Sequence, residues 1–303
     1  MPFFNLFNYF FVTMNTSTFS RIIAGTMTWG IWGKNLNEKQ MIDLMNCCLE
    51  NGISTFDHAD IYGGYTTEAS FGKAFKSSDI DRESVQLISK CGIQYTSENR
   101  KNTIKHYDYS KSYIVWSVEQ SLQNLQTDYL DLLLLHRPSP LMQTDEIAEA
   151  IDSLKNAGKI KDFGVSNFTP LQTDLIRTKT EVNYNQIQFS VTDLSPMLDG
   201  SLDHMQLHNI SPMAWNPLGS VFRSDDEKSK RVTSQANILA DKYEVSIDLI
   251  LLGWIMRHPA KIFPVCGTTD LLRISQLTNA TKIDLALEDW FSLWVASTGN
   301  KVP

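Results

Sequence analysis

At 303 residues the chain can hold one (β/α)8 domain, which commonly takes about 250, and a formal net charge of −7 argues against a nucleic-acid partner, whose phosphates need clustered Lys and Arg. Apolar residues at 42% and charged residues at 20% are ordinary for a soluble globular protein. The four cysteines show no CxxC or Cys/His spacing, so no zinc site is expected, and adjacent Cys47 and Cys48 read as reduced core residues of a cytoplasmic protein.

Met1 to Phe19 carries no charge and has five Phe before residue 12. It lacks the basic start and small-residue cleavage site of a signal peptide, and it is too short and too Asn-broken to span a membrane. Residues 1–19 are read as an extension, with Met14 a candidate start, and residues 20–303 as the folded unit. Ser20 to Gly25 predicts a strand, and the three- and four-residue apolar spacing of Asn37 to Leu49 a helix. Ile53 to Asp57 predicts the second strand and Glu68 to Phe75 its helix. Val85 to Lys90 predicts the third, followed by a long polar loop to Lys111 and a helix over Ser112 to Leu125. The near-continuous leucine run ending at His136 predicts a strand buried on both faces. A helix follows over Thr144 to Ala157, with Thr144 as N-cap and Gly158 past its end. Lys161 to Val165, Asn183 to Phe189, Ser211 to Trp215 and Ile262 to Cys266 complete eight strands. Helices are predicted at Thr169–Thr178, Ser229–Tyr243, Ser246–Arg257, Asp270–Ala280 and Leu287–Ser297. Eightfold strand–helix alternation without a linker or tandem repeat predicts an α/β single-domain (β/α)8 TIM barrel.

Chemistry in such a barrel sits at the C-terminal ends of the strands. Three successive strand ends carry Asp57 with Tyr62, then Lys90, then His136. A phenol with a pKa near ~10 is a poor acid at neutral pH, and a nearby cation lowers that value. Taken singly, Asp57 reads as a loop cap, Tyr62 as a half-buried aromatic, Lys90 as a surface charge and His136 as a core histidine. Asp57-His58-Ala59-Asp60 is not read as a metal site, because His106, His204, His208 and His258 are scattered over loops and helices. No GxGxxG follows the first strand, which argues against a Rossmann dehydrogenase.

Asp57-His58-Ala59-Asp60-Ile61-Tyr62-Gly63, Lys90, Leu135-His136, Gly164-Val165-Ser166-Asn167-Phe168 and Asn185-Gln186 together resemble the aldo-keto reductase family. The likeness runs from about Ser20 to the C-terminus, and is greatest to the bacterial branch of monomeric oxidoreductases with the His-Ala-Asp-Ile-Tyr-Gly-Gly-Tyr loop. The resemblance implies that Tyr62 is the general acid, that Lys90 paired with Asp57 assists it, and that His136 orients the carbonyl. It implies NADPH as cofactor, with NADH possible. Asp57, Ser166, Asn167 and Gln186 would lie at the nicotinamide, and Trp215 would stack on it. Thr26 and Met27 would flank the cofactor, and Asn216, Leu218 and Gly219 would follow its pyrophosphate. Gly267, Thr268, Thr269 and Arg273 would meet the adenosine 2′-phosphate. Gln276-Leu277 departs from the family's Glu-Asn at the adenine, and Asp270 stands where a basic residue would help. The expected partner is a small-molecule carbonyl, bound by a monomer among Trp29, Tyr65, Trp116 and Phe222. The alternative is a cofactor-binding regulatory subunit or redox sensor.

Overall fold

Strands as short and apolar as these can be buried on both faces only when helices cover a closed or doubly flanked sheet. The computed structural model, which describes residues 19–302, closes them into a barrel. In chain order the first elements are β1 (Ile23–Gly25), α1 (Glu38–Glu50), β2 (Thr55–Asp57), α2 (Thr67–Lys76) and β3 (Gln86–Cys91). A small antiparallel hairpin, β4 (Ile93–Gln94) and β5 (His106–Tyr107), lies in the connection read as a plain loop. Next come α3 (Lys111–Leu125), β6 (Leu130–Leu135), α4 (Thr144–Asn156), β7 (Ile160–Ser166), α5 (Pro170–Arg177) and β8 (Tyr184–Gln188). Then follow α6 (Ser195–Leu198), α7 (Ser201–Leu207), β9 (Ser211–Trp215), α8 (Glu227–Tyr243), α9 (Ile247–Met256), β10 (Phe263–Cys266), α10 (Leu271–Leu277) and α11 (Leu287–Thr298).

The barrel runs β1, β2, β3, β6, β7, β8, β9, β10 and back to β1, every pair parallel. Ile23, Ile88, Leu132, Leu134, Tyr184, Met213, Phe263 and Val265 form one buried cluster drawn from six strands, which places it inside the barrel. Phe19 joins this cluster with its ring 5.2 Å from that of Tyr184, so it belongs to the barrel and not to the extension. The rest of that extension lies outside the described residues. Strand side chains alternate between faces. Lys90, two residues beyond Ile88, and Gln186, two beyond Tyr184, therefore also point inward, one layer nearer the C-terminal mouth.

Local chemistry moves several boundaries. Asn37 and Thr169 are N-caps of α1 and α5, each in a reciprocal capping box with the Gln three residues on. Thr144 is not a cap: Gln143 holds that place without a side-chain bond, and Thr144 is the first helical residue. Gly158 lies just past α4 with φ of +69°. Cys48 is buried as expected, whereas Cys47 is half-buried. Among the described residues no helix is long and apolar enough to cross a membrane.

Candidate active site

Three strand ends deliver the polar cluster. Asp57 ends β2, Lys90 is the penultimate residue of β3, and His136 follows β6. The β2–α2 loop then turns back over the mouth through Gly63 and Gly64, with φ of +60° and +63°. A Cβ on Gly63 would stand 2.5 Å from Thr67 Oγ1, so both the turn and the close approach require glycine. That turn brings Tyr62 over Lys90.

The Lys90 ammonium is fully buried and spends its three protons on three acceptors. Nζ donates to Asp57 Oδ2 at 2.7 Å, to the His58 carbonyl at 2.6 Å and to Tyr62 Oη at 3.1 Å. Gln186 Nε2 donates to the other Asp57 oxygen at 2.9 Å. Burial pushes Lys90 down, but the charges and hydrogen bonds of Asp57 and Tyr62 outweigh it, and its pKa lies above the ordinary value. Tyr62 accepts from Lys90, so its own O–H proton is left to point elsewhere. Burial pushes the Tyr62 phenol up; Lys90 pulls it down without prevailing, and Asp57 adds to the rise. The expectation that Lys90 lowers the Tyr62 pKa is thus correct for its own contribution and wrong for the net direction. The phenol is held protonated at neutral pH, the state from which an acid can donate.

His136 stands beside Tyr62, ring centroids 6.1 Å apart and nearly perpendicular. Burial, then the charges of Lys90, Arg137 and Lys105, hold its pKa well below the usual histidine range, so the imidazole is neutral. Its Nδ1 is buried without a hydrogen-bond partner among the described residues. His58 is a support. Burial and Lys90 push its pKa down to about 3, and its Nδ1 lies 2.9 Å from Thr26 Oγ1.

Behind this cluster lies a second pair of buried acids. Asp60 Oδ2 accepts from Tyr113 Oη at 3.4 Å and Ser117 Oγ at 3.3 Å, and Oδ1 has no partner within hydrogen-bond geometry among the described residues. Glu68 accepts from Ser89 Oγ at 2.5 Å. Burial first, then the Glu68 charge, push Asp60 up to about 8, against weaker pulls from the Ile61 N–H, Arg100 and Ser117. Asp60 thus binds a proton in the folded state that the unfolded chain releases near pH ~4. The native state binds more protons between those values, so this residue makes stability fall as pH rises through that window. Asp60→Asn is expected to raise the thermal midpoint by a few degrees near pH ~9 and hardly at all near pH ~5. An equal offset at both pH values contradicts the assignment.

The nicotinamide-side residues form a connected chain. Trp215 Nε1 donates to Asn167 Oδ1 at 2.9 Å, Asn167 Nδ2 to Ser166 Oγ at 2.8 Å, and Ser166 Oγ to the Gln186 carbonyl at 3.0 Å. Asn167 adopts φ of +61°, which turns its amide toward Trp215. One Asn167 amide proton and the faces of the pinned indole remain for a planar amide-bearing ring. This donor set fits a nicotinamide.

Several of the expected contact residues also make bonds within the protein. Thr26 is fully buried, its hydroxyl bonded to the Asp57 carbonyl at 3.0 Å and shared with His58, so its side chain supports the loop. Ser166 is buried as well, its hydroxyl accepting from the Asn167 amide. Gly219 is buried at φ of +59°, and a Cβ would meet Thr192 Oγ1 at 2.0 Å; it turns the loop. Trp29 is 1% exposed and packs on Phe56 and Phe71, so it is core. The mouth is walled instead by Trp32, whose ring lies 6.3 Å from Tyr62 and 5.4 Å from Tyr95. Tyr65 and Trp116 flank the Arg100 guanidinium, 4.3 Å from each ring, and Phe222 is exposed. Met27, Gly267 and Arg273 are exposed, while Asn216, Leu218, Thr268 and Thr269 are half-buried. Asp270 is the N-cap of α10, its carboxylate accepting the Arg273 N–H at 3.1 Å. A polar cavity of about 610 Å³ lies beside Asn216 and Ser220 and is lined by Arg223 and Lys228. Arg223 hydrogen-bonds Asn216 Oδ1 and donates to the Gly219 carbonyl at 2.6 Å. Sequence reading passed over both cations, although they follow the glycine-containing loop directly.

Residues 21–293 match the Aldo/keto reductase family. The chain is 42% identical to "Uncharacterized oxidoreductase YcsN" of Bacillus subtilis over 94% of this chain and 96% of that protein. It is 36% identical to a 6-dehydroglucose reductase of Agrobacterium fabrum over 85% of this chain and 88% of that one. A solved aldo/keto reductase from Klebsiella pneumoniae, in complex with NADP and acetate, superposes with a TM-score of 0.76 at 24% identity, covering 91% of this chain and 90% of its own. None of these similarities supports a regulatory subunit. The chain belongs to the aldo/keto reductase family and is an NAD(P)H-dependent carbonyl reductase.

Proposed function

We propose that the chain reduces an aldehyde or ketone to an alcohol, with Tyr62 as proton donor, Lys90 and Asp57 as its support and His136 as the carbonyl guide. The observation that carries this is the Lys90 ammonium, which is buried, pairs with Asp57 and donates to Tyr62 Oη. When bound, NADPH supplies the hydride. The residues do the rest. Neutral His136 offers an N–H to the carbonyl oxygen, and the Tyr62 O–H proton moves to that oxygen as negative charge develops there. Lys90 then faces the phenolate and stabilises it without having to move. Asp57, fixed by Gln186, keeps Lys90 charged in a site that excludes water.

Asn167, Ser166, Gln186 and Trp215 would hold the nicotinamide end, and Arg223 and Lys228 add positive charge along the run from Asn216. The aromatic walls at Trp32, Tyr95 and Tyr65 favour an apolar or aromatic carbonyl. A sugar aldehyde is the second class to test, because a relative is named for one. All four catalytic side chains come from one chain, which supports action as a monomer. The four free thiols support a reducing compartment. NADPH oxidation is expected with an aromatic aldehyde, a diketone or a sugar aldehyde, matched by one alcohol per cofactor. NADPH binding without turnover across that panel overturns the proposal in favour of a sensor.

Cofactor choice rests on Arg273, whose exposed guanidinium has no ion pair among the described residues. A charge-assisted Arg contact is worth about 1.5–3 kcal/mol, roughly 10- to 100-fold in affinity. Arg273→Ala is expected to weaken NADPH by that factor and leave NADH unchanged. Asp270 is a helix cap, so the clean probe of its charge is Asp270→Ser, which keeps a capping oxygen. That change is expected to tighten NADPH by less than tenfold. Dissociation constants for both cofactors at fixed salt check this. An equal loss for both on Arg273→Ala removes the phosphate assignment.

A further inference from the structure

Two histidines treated as scattered converge on one carboxylate, far from the catalytic mouth. His204 in α7 and His208 just past its end are four residues apart and share a helix face. Their ring centroids are 4.5 Å apart. Across from them on α5 stands Asp174. His204 Nε2 lies 2.9 Å from Asp174 Oδ1, and His208 Nε2 lies 3.9 Å from the same oxygen. One donor atom from each of the three residues lies within 4.8 Å of the other two. We propose that Asp174, His204 and His208 form a binding site for a borderline divalent metal ion, zinc in the first place, that clamps α5 to α7.

The distances carry the proposal. Zinc holds imidazole nitrogen and carboxylate oxygen at about 2.0–2.2 Å, which sets tetrahedral donor atoms about 3.3–3.5 Å apart. The two observed Asp–His separations bracket that value, and each needs a change of only about half an ångström. At 3.9 Å the second imidazole makes no hydrogen bond to the carboxylate it faces. The side chains are half-buried, with His204 at 11% and His208 at 30% exposed, so partial order is already in place while an ion can still reach them. Two imidazoles and a carboxylate select zinc, cobalt, nickel or copper over calcium and magnesium, which take oxygen ligands. The competitor is Arg177, with Nη1 3.2 Å from the same Asp174 oxygen. That ion pair is partly exposed and only three residues apart in one helix, so displacing it costs little. A fourth position would be taken by water. His208 lies three residues before the start of β9, at the end of the barrel opposite Tyr62, so an ion here stays out of the reaction.

The test uses the full chain, freed of metal by a chelator and kept reduced. Cobalt(II) is expected to bind at one equivalent, with the visible spectrum of nitrogen and oxygen ligands, and zinc to raise the melting temperature by several degrees. His208→Gln is expected to weaken both effects at least tenfold, and His204→Gln with His208→Gln to abolish them, with carbonyl reduction by the metal-free proteins unchanged. His204→Gln also breaks a bond to Asp174; His208→Gln breaks none, so it carries the test if the double variant folds poorly. An absence of cobalt binding in the wild type overturns the proposal. So does a zinc response that survives in the double variant, or a thiolate charge-transfer band, which would place the metal on cysteine.

Discussion

Replacing Tyr62 with Phe is expected to lower carbonyl turnover by about 100-fold or more, the usual scale for a positioned general acid. The ring, its packing beside His136 and the walls of the mouth are kept; only the hydroxyl goes. Lys90 Nζ then loses its bond to Tyr62 Oη and keeps those to Asp57 and the His58 carbonyl. The ammonium remains paired, and the fold should tolerate the change. NADPH affinity should hardly move, because no hydrogen bond of the chain linking Trp215, Asn167, Ser166 and Gln186 involves Tyr62. Initial rates with saturating NADPH and a fluorescence-measured cofactor dissociation constant separate the two effects. A near wild-type rate shows that another group supplies the proton.

Lys90→Met should cost activity on the same scale and, unlike Tyr62→Phe, also cost stability. It roughly keeps the length of the side chain and removes a buried charge that satisfies three acceptors. Asp57 is 2% exposed and would be left with the Gln186 bond and no cation. Breaking a buried ion pair from one side is worth about 3–5 kcal/mol, because the remaining charge is uncompensated. Denaturant unfolding reads the stability term, and turnover well below the transition reads the chemistry. Activity near that of the wild type would mean that the phenol needs no cation.

The barrel was legible because its strands carry their signal locally. The run Leu130–Leu135 ending in a histidine fits only a strand buried on both faces, and the same holds more weakly for β3 and β7. The polar cluster was legible from residue types at three successive strand ends, joined to the family's motif order. Harder to read was whatever depends on which way a side chain turns after the strand stops. Trp29 and Trp32 lie three residues apart in one loop, and nothing in the sequence says that the first packs on Phe71 while the second walls the mouth. Thr26 follows a strand end as a ligand contact would, yet its hydroxyl is taken by Asp57 and His58. The net pKa of Tyr62 depends on how far burial outweighs Lys90, a balance of solvation that residue spacing does not contain. The convergence of His204 with His208 was hidden for a simpler reason. The elements α6 and α7, with 4 and 7 residues, are too short to show a helical period. Once that segment is helical, the four-residue spacing puts both imidazoles on one face.

The central claim is that Lys90 and Tyr62 act as one proton-delivering unit, and a double-mutant cycle on the chemical step tests it most directly. Single-turnover oxidation of enzyme-bound NADPH by a saturating carbonyl should be followed in the wild type, Tyr62→Phe, Lys90→Met and the double variant. Groups that act as a unit are strongly non-additive. The double variant is therefore expected to be hardly slower than the slower single variant. A double variant slowed by the product of the two single losses would contradict the account and leave Lys90 and Tyr62 acting independently.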